Sequence, residues 1–483
     1  MASHPDDRSL GFVYQDRIQS QRIDLVFIRQ KVVGPLSMAP RRRTLLAAVS
    51  TAAASTAAGC ADLLAGDTDE ETSDPVDDIA TALVEDLANG RFEEAGERFA
   101  SNEQARRGDP GRLERLWMAY TSVGGDFEEI GGTDVRTENG YELVDVTLSF
   151  DGGDHGCGVV VDGDSNVVDC GVTDEYQRPS YVDSDAITDA DVTLSVPDCS
   201  LPGVVTTPAG DDGDGGGVPG VVLVHDSGPV TKDSPNGGTK AFADLAEGLA
   251  TRGVATLRYD KRIPTCDVAP GEYTLDRVTV DDALVAVDRL RGVDGVDSNR
   301  IVVVGHGLGG RAAPRITARD GDLAGVVGLA APARPYHDLT LEQLEHKVSI
   351  GDHEWDDLAN VHEAWADQIE RVREGEYEAD EQLLGKPGAF WDSLAAYDHL
   401  EAAAGLETPS YFLQGERDFQ VSVGDDLELW EAELTGDASV ETYEGLDHLF
   451  MPGEGESVEF AYALRNNVAE RVVDDLAAWI GEL

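Results

Sequence analysis

The stretch VVVGHGLGGR, residues 302 to 311, is where residue types and spacing first suggest chemistry. An apolar strand runs into a glycine-rich turn, and a helix follows. Two kinds of chemistry use such a turn. In the first, Gly-x-Ser-x-Gly, a serine sits on a sharp strand-to-helix corner with its hydroxyl pushed forward as a nucleophile. Small flanking residues let strand and helix approach closely. Here Gly305 and Gly309 flank the corner, but Gly307 stands at its centre and offers no hydroxyl. In the second, Gly-x-Gly-x-x-Gly, backbone N–H groups at a helix start hold a pyrophosphate. Gly305, Gly307 and Gly310 fit that spacing. A dinucleotide site, however, opens its βαβ unit and ends the next strand with an acid for the ribose. The next strand here ends Leu329-Ala330-Ala331-Pro332, and several strands precede the turn. The nucleophile turn is therefore the better description, with its nucleophile missing.

The elements that must position this turn alternate from about Asp191 onward, which predicts a mostly parallel sheet. DVTLSV and GVVTTP form an opening hairpin, and VPGVVLVHDSGP is an apolar strand ending in a turn. A helix over 239–252, the strand VATLRYDKR and a helix over 279–291 precede the glycine turn. LAGVVGLAAP, SYFLQGERDFQV and SVETYEGLDH supply later strands, and a helix over 457–482 closes the chain. Residues 336–395 read as an acidic helical lid, in which Tyr336, Trp355, Trp365, Tyr377 and Trp391 are lid-core or pocket candidates. The acidic glycine loop Asp211 to Gly217 reads as an inserted, unstructured segment.

Upstream, helical periodicity over 78–118 (Ile79, Leu83, Leu87; Leu113, Leu116, Trp117) gives way to strand patterns from about Asp134. This predicts a small α+β domain over 78–178, whose one histidine, His155, falls in a Gly/Asp-rich turn and should face solvent.

Charge bounds the environment. Asp and Glu number 94 against 37 Lys and Arg, and only six of the latter are lysines. Such a surface repels itself in dilute buffer and is screened in molar salt. It resembles proteins of halophilic archaea, and it makes nucleic acid a poor partner. The first 37 residues differ: five Lys+Arg against four Asp+Glu give +1, which leaves −58 for the rest. They read as a gene-model extension ahead of Met38. From there MAPRRRTLLAAVSTAAASTAAGC has the form of a twin-arginine-type lipoprotein signal over 38–60, with Cys60 as the lipidated residue. Residues 61–77 then form an acidic linker. The expected location is the outer face of the cell membrane, held by the lipid anchor, or the exterior. An oxidising exterior suits the four remaining cysteines. Placing Val161 opposite Asn166 puts Cys157 opposite Cys170 across a hairpin, a candidate disulfide. None of the four has metal-site spacing.

The segments VHDSGP, LRYDKR, GHGLGG, APARP, LQGERDFQV and YEGLDHLF stand in the order of an α/β-hydrolase. The chain resembles secreted esterase-type members of that superfamily that carry a small N-terminal domain. The resemblance spans 190–483 closely and 78–178 loosely. It implies an α/β fold, with a mostly parallel sheet, helices on both faces and a helical lid, preceded by the small α+β domain. It also implies Asp418 as the acid and His448 as the base of a triad whose nucleophile position is Gly307. Backbone N–H groups of Leu308 and Ser227 would hold an oxyanion. Asp447, beside His448, competes for the acid role, and Ser227 reads as structural rather than as a substitute nucleophile. The fold would also bring the hairpin turn holding Cys199 near Cys266, a second candidate disulfide.

The resemblance implies hydrolysis of carboxylic esters or related acyl compounds without metal or cofactor. Loss of the serine typically costs on the order of a million-fold in turnover. Three explanations follow: a binding protein that keeps the pocket, a water activated in the vacated space, or a single-residue variant. A structural lipoprotein whose small domain is the working part is a further reading.

Overall fold

The computed structural model describes residues 75–210 and 217–483. The signal, Cys60, most of the linker and the loop 211–216 lie outside the described residues.

The small domain begins with α1 (Pro75–Ala88), inside the expected linker, followed by α2 (Phe92–Glu97) and α3 (Pro110–Gly124). Asp109 caps α3 by accepting from the Gly111 and Arg112 N–H groups, and Pro110 at the first position gives up no needed donor. Four antiparallel strands follow in sequential order: β1 (Phe127–Glu138), β2 (Tyr141–Phe150), β3 (Gly153–Val161) and β4 (Val167–Val172). Leu83, Leu87, Leu113, Leu116 and Tyr120 from the helices bury against Val144, Val146 and Phe150 from the sheet.

Two expectations fail here. Cys157 pairs with Val172 and Cys170 with Val159, so the two cysteines do not face each other, and both are free, buried thiols. The register shifts between Val160 and Val161, where an irregularity lets Val161 pair with Val167 instead of Asn166. His155 is not in a solvent-facing turn. It lies on β3, buried, with Nδ1 2.6 Å from Asp174 Oδ2. The turn residues around it extend the strand.

The second domain is an eight-stranded sheet. In chain order the strands are β5 (Ile187–Val196), β6 (Cys199–Pro208), β7 (Val218–Val224), β8 (Ala255–Tyr259), β9 (Val296–His306), β10 (Gly325–Leu329), β11 (Ser410–Gly415) and β12 (Ala438–Tyr443). Their spatial order is β12-β11-β10-β9-β7-β8-β6-β5. The β5–β6 hairpin is antiparallel and meets β8 antiparallel, and the remaining pairs are parallel. Central strands are apolar on both faces because helices cover both. Val222, Val224, Ile301 and Val303 face α5 (Asp281–Arg291) and α6 (Leu308–Asp320). Their alternates Val221, Leu223, Val302 and Val304 face α4 (Ala241–Thr251) and α10 (Glu470–Glu482). The closing helix starts at Glu470 rather than 457. The Val468 N–H and the Asn467 amide are taken by the Asp244 carboxylate, which holds that stretch out of helical form. Cys199 and Cys266 are joined as a disulfide with Cα atoms 6.1 Å apart.

The segment expected to form a lid, 336–395, contains α7 (Tyr336–Ser349), α8 (Asp356–Glu374) and α9 (Gly388–Ala395). Tyr336, Trp365, Tyr377 and Trp391 pack with the main core, and Trp355 packs within the lid against Leu344, Leu358 and Val361. The bend between α7 and α8 rests on the small domain. Glu114 of α3 accepts from the Asp352 N–H (2.9 Å) and the His353 N–H (2.8 Å). Gly351 there has φ +84, and a Cβ on it would come within 2.6 Å of the Glu114 carboxylate.

Candidate active site

The turn after β9 is built as the glycine spacing predicts. Gly307 has φ 53 and ψ −120, a conformation that costs an ordinary residue strain and glycine little. Side chains at Gly305 and Gly309 would run into the backbone of Gly309 and Val224 respectively, so both flanks must be bare for strand and helix to meet.

The structure brings Asp418 and His448 together at this turn. Asp418 follows β11, and His448 follows β12. His448 Nδ1 is 2.7 Å from Asp418 Oδ2. The other carboxylate oxygen of Asp418 accepts from the Gln420 (2.7 Å) and Val421 (3.1 Å) N–H groups, and Gln414 Nε2 donates to Oδ2 at 2.8 Å. A carboxylate fixed by this many donors orients the imidazole firmly. Asp447 is not its competitor. Its Oδ1 accepts from the Leu449 and Met451 N–H groups and shapes the turn instead. His306 lies beneath His448, with Nε2 2.8 Å from the His448 carbonyl oxygen.

The residue that sequence reasoning missed is Asp226. Its Oδ1 accepts from the Leu308 N–H at 2.7 Å, so the donor expected for an oxyanion is already engaged. Its Oδ2 lies 3.7 Å from His448 Nε2, beyond hydrogen-bond reach, and Nε2 has no hydrogen-bond partner although it is buried. The carboxylate stands where a side chain on residue 307 would be. One signal was visible in the sequence: an acid placed directly after the apolar strand, in VHDSGP. Lys261, which is buried, donates to the Asp226 carbonyl oxygen and fixes the loop.

The charges explain one another. Burial alone would lower the His448 pKa, but the Asp418 and Asp226 carboxylates raise it to about 10. Burial would raise that of Asp226, yet the charge of His448 and the hydrogen bond from the Leu308 N–H hold it well below the usual carboxylate range. His306 is pushed down to about 4 by burial and by the charge of His448. The two carboxylates thus favour the protonated form of the imidazole.

These groups open onto a cleft lined by Asp226, Ser227, Gly307, Tyr336, Gln420 and His448, among others. Ser227 is placed there, beside Tyr336. Of the lid aromatics singled out from the sequence, Tyr336 is the one that lines this cleft.

A doubly covered parallel sheet, a positive-φ corner after its central strand, and an acid and a histidine on later strand ends define an α/β-hydrolase. Comparison agrees: the pattern of the alpha/beta hydrolase family matches residues 221–461, and the chain belongs to that family. It is 33% identical over 410 residues to Esterase EstD of Thermotoga maritima, covering 84% of this chain and 95% of that protein. Similar solved structures include brefeldin A esterase (20% identity, TM-score 0.42, 64% of this chain and 81% of that one). Est1E from Butyrivibrio proteoclasticus is another (13% identity, TM-score 0.39, 60% of this chain and 98% of that one).

Proposed function

We propose that this protein is an exported, lipid-anchored hydrolase of carboxylic esters or related acyl compounds, in which water rather than a serine hydroxyl attacks the acyl carbon. The esterase relative supports the substrate class. The single observation that carries the reading is the retained Asp418–His448 pair, 2.7 Å apart and facing the cleft at a corner that has kept its strained geometry without its serine. A serine hydrolase passes through a covalent acyl-enzyme, and this site has no hydroxyl at the corner to form one.

The test is hydrolysis of short nitrophenyl esters in molar salt. The expected result is steady turnover without an initial burst, no labelling by an active-site fluorophosphonate, and loss of turnover in His448→Ala. Absence of turnover on every ester tried, with strong turnover appearing in a Gly307→Ser/Asp226→Gly double variant, would overturn the reading and leave a silenced serine hydrolase.

A further inference from the structure

The water invoked above would attack beside a carboxylate and two histidines. Among the described residues, Asp226, His306 and His448 each offer one donor atom, and these atoms all lie within 4.8 Å of one another. The sequence gives no hint of this set, because the three come from the ends of β7, β9 and β12 and have no local spacing.

We propose that Asp226, His306 and His448 form a site for a divalent transition metal of the zinc type, whose open position faces the cleft and holds the attacking water. Two histidines and one carboxylate, with one position left for water, is a donor set such ions take in catalytic sites.

The argument rests on what the other atom of each group is doing. A metal-bound histidine commonly donates its second ring N–H to a carboxylate or carbonyl, which fixes the ring. His448 Nδ1 is 2.7 Å from Asp418 Oδ2, and His306 Nε2 is 2.8 Å from the His448 carbonyl oxygen. Each ring therefore has one nitrogen held, and that of His448 leaves Nε2 without a partner. The carboxylate follows the same rule: Asp226 Oδ1 accepts from the Leu308 N–H, which leaves Oδ2. The spare atom of His448, Nε2, is on a side chain only 5% exposed and has no partner, a costly state for a buried polar atom. It lies 3.7 Å from Asp226 Oδ2. Tetrahedral ligands at about 2.0–2.1 Å from zinc sit roughly 3.4 Å apart, so these two need to close only slightly.

The site also accounts for Gly307. A Cβ on this residue would collide with the Asp226 carboxylate, so any side chain at 307 expels one ligand. Glycine is the residue that lets the carboxylate in. The chemistry balances without further reagents. Metal-bound water releases a proton to solvent, and its oxygen attacks the acyl carbon. The acyl–oxygen bond breaks, and the departing alkoxide takes a proton from water; ester and water become acid and alcohol. This use of the site rests on the proposed ester hydrolysis, whereas the site itself does not.

The test is metal binding by the full chain, stripped with chelator and held in molar potassium chloride to screen its many surface carboxylates. Cobalt(II) is the probe, because histidine-bound, four-coordinate cobalt absorbs strongly in the visible. One equivalent should bind with that absorption and be displaced by zinc(II). Asp226→Asn, His306→Gln and Gly307→Ser should each weaken binding at least tenfold. Asp226 is part-exposed and Gly307 is on the cleft wall, so these two variants report even if His306→Gln fails to fold. Wild-type protein without the cobalt absorption, or equal binding in Asp226→Asn, overturns the site. Stoichiometric binding without ester turnover supports the site and defeats the proposed function. Turnover that survives chelation in a protein that binds no cobalt does the reverse.

Discussion

Gly307 and Asp226 share one space: the carboxylate of the second stands where a side chain on the first would have to go. The two residues lie 81 positions apart in sequence and meet because β7 and β9 are neighbours in the sheet. A serine placed at 307 would have to push Asp226 off the Leu308 N–H, the donor that a serine mechanism needs for its oxyanion. Gly307→Ser alone should therefore gain little. With Asp226→Gly added, nitrophenyl ester turnover should exceed that of the single variant by about a thousand-fold or more, within the range a complete triad contributes. Comparable rates for the single and double variants would show that Asp226 yields easily.

Asp418 takes hydrogen bonds from two backbone N–H groups, Gln414 and His448. In Asp418→Asn an amide N–H₂ replaces one acceptor and faces donors. Turnover should fall about a hundred-fold or more through misorientation of the imidazole. Stability should fall by about 1–3 kcal/mol from the unmatched buried donors. Steady-state kinetics beside thermal melts separate the two effects; unchanged kcat would remove Asp418 from the orienting role.

Asp244 is fully buried, and burial raises its pKa to about 7 against the strong hydrogen bonds from Tyr176, Asn467 and Val468. The folded state then binds this proton more tightly than the unfolded chain, where the value is 3.8. By linkage, the stability this group contributes is complete below pH about 4 and is lost as pH rises through about 7. Asp447, raised to about 6 by burial, acts in the same direction. Denaturation in molar salt at pH 5 and pH 8 should show the difference in stability between the protein and its Asp244→Asn variant shifting against the unsubstituted protein at the higher pH.

Removal of the Glu114 carboxylate should free the bend of the lid. In Glu114→Ala the amides of Asp352 and His353 lose their acceptor, and their hydrogen exchange should speed up well ahead of that in the central strands. Affinity for bulky esters should shift more than affinity for acetyl esters. Unchanged exchange over 349–355 would show that α7 and α8 hold the bend by themselves.

The Cys199–Cys266 bridge closes a loop of 67 residues, for which chain entropy alone predicts about 4 kcal/mol of stabilisation. Reduction should lower the unfolding midpoint markedly. Cys157 and Cys170, buried in the small domain, should resist a thiol reagent until the protein unfolds.

Much of this molecule could be read in advance because its strands are apolar runs bounded by turns, and such runs need no partner to be recognised. The corner at Gly307 was legible because Gly305, Gly307 and Gly309 answer a local steric demand. Asp418 and His448, which the structure brings together, were named because each follows a recognisable strand at the place where the resemblance to α/β-hydrolases puts the acid and the base. Asp226 was not, since an acid after an apolar strand reads as an ordinary turn. Its place depends on a side chain missing 81 residues away. The cysteine pairing of β3 and β4 failed for a related reason: one irregularity at Val160 moves every later pair, and composition does not encode it. The start of α10 failed because Asp244, far upstream, takes the Asn467 amide and the Val468 N–H.

The small domain holds three segments around the cleft at once. Glu114 holds the lid bend, Ser122 Oγ accepts from Arg417 beside the acid Asp418, and the Ser122 carbonyl accepts from Glu454 in the loop beyond His448. Deleting it would not yield a smaller version of the same protein; it would release the lid and both strand-end loops together. The two halves should behave as complementary fragments. A chain cut in the segment between Val172 and Ile187 should regain its cleft on mixing, and the larger fragment alone should not.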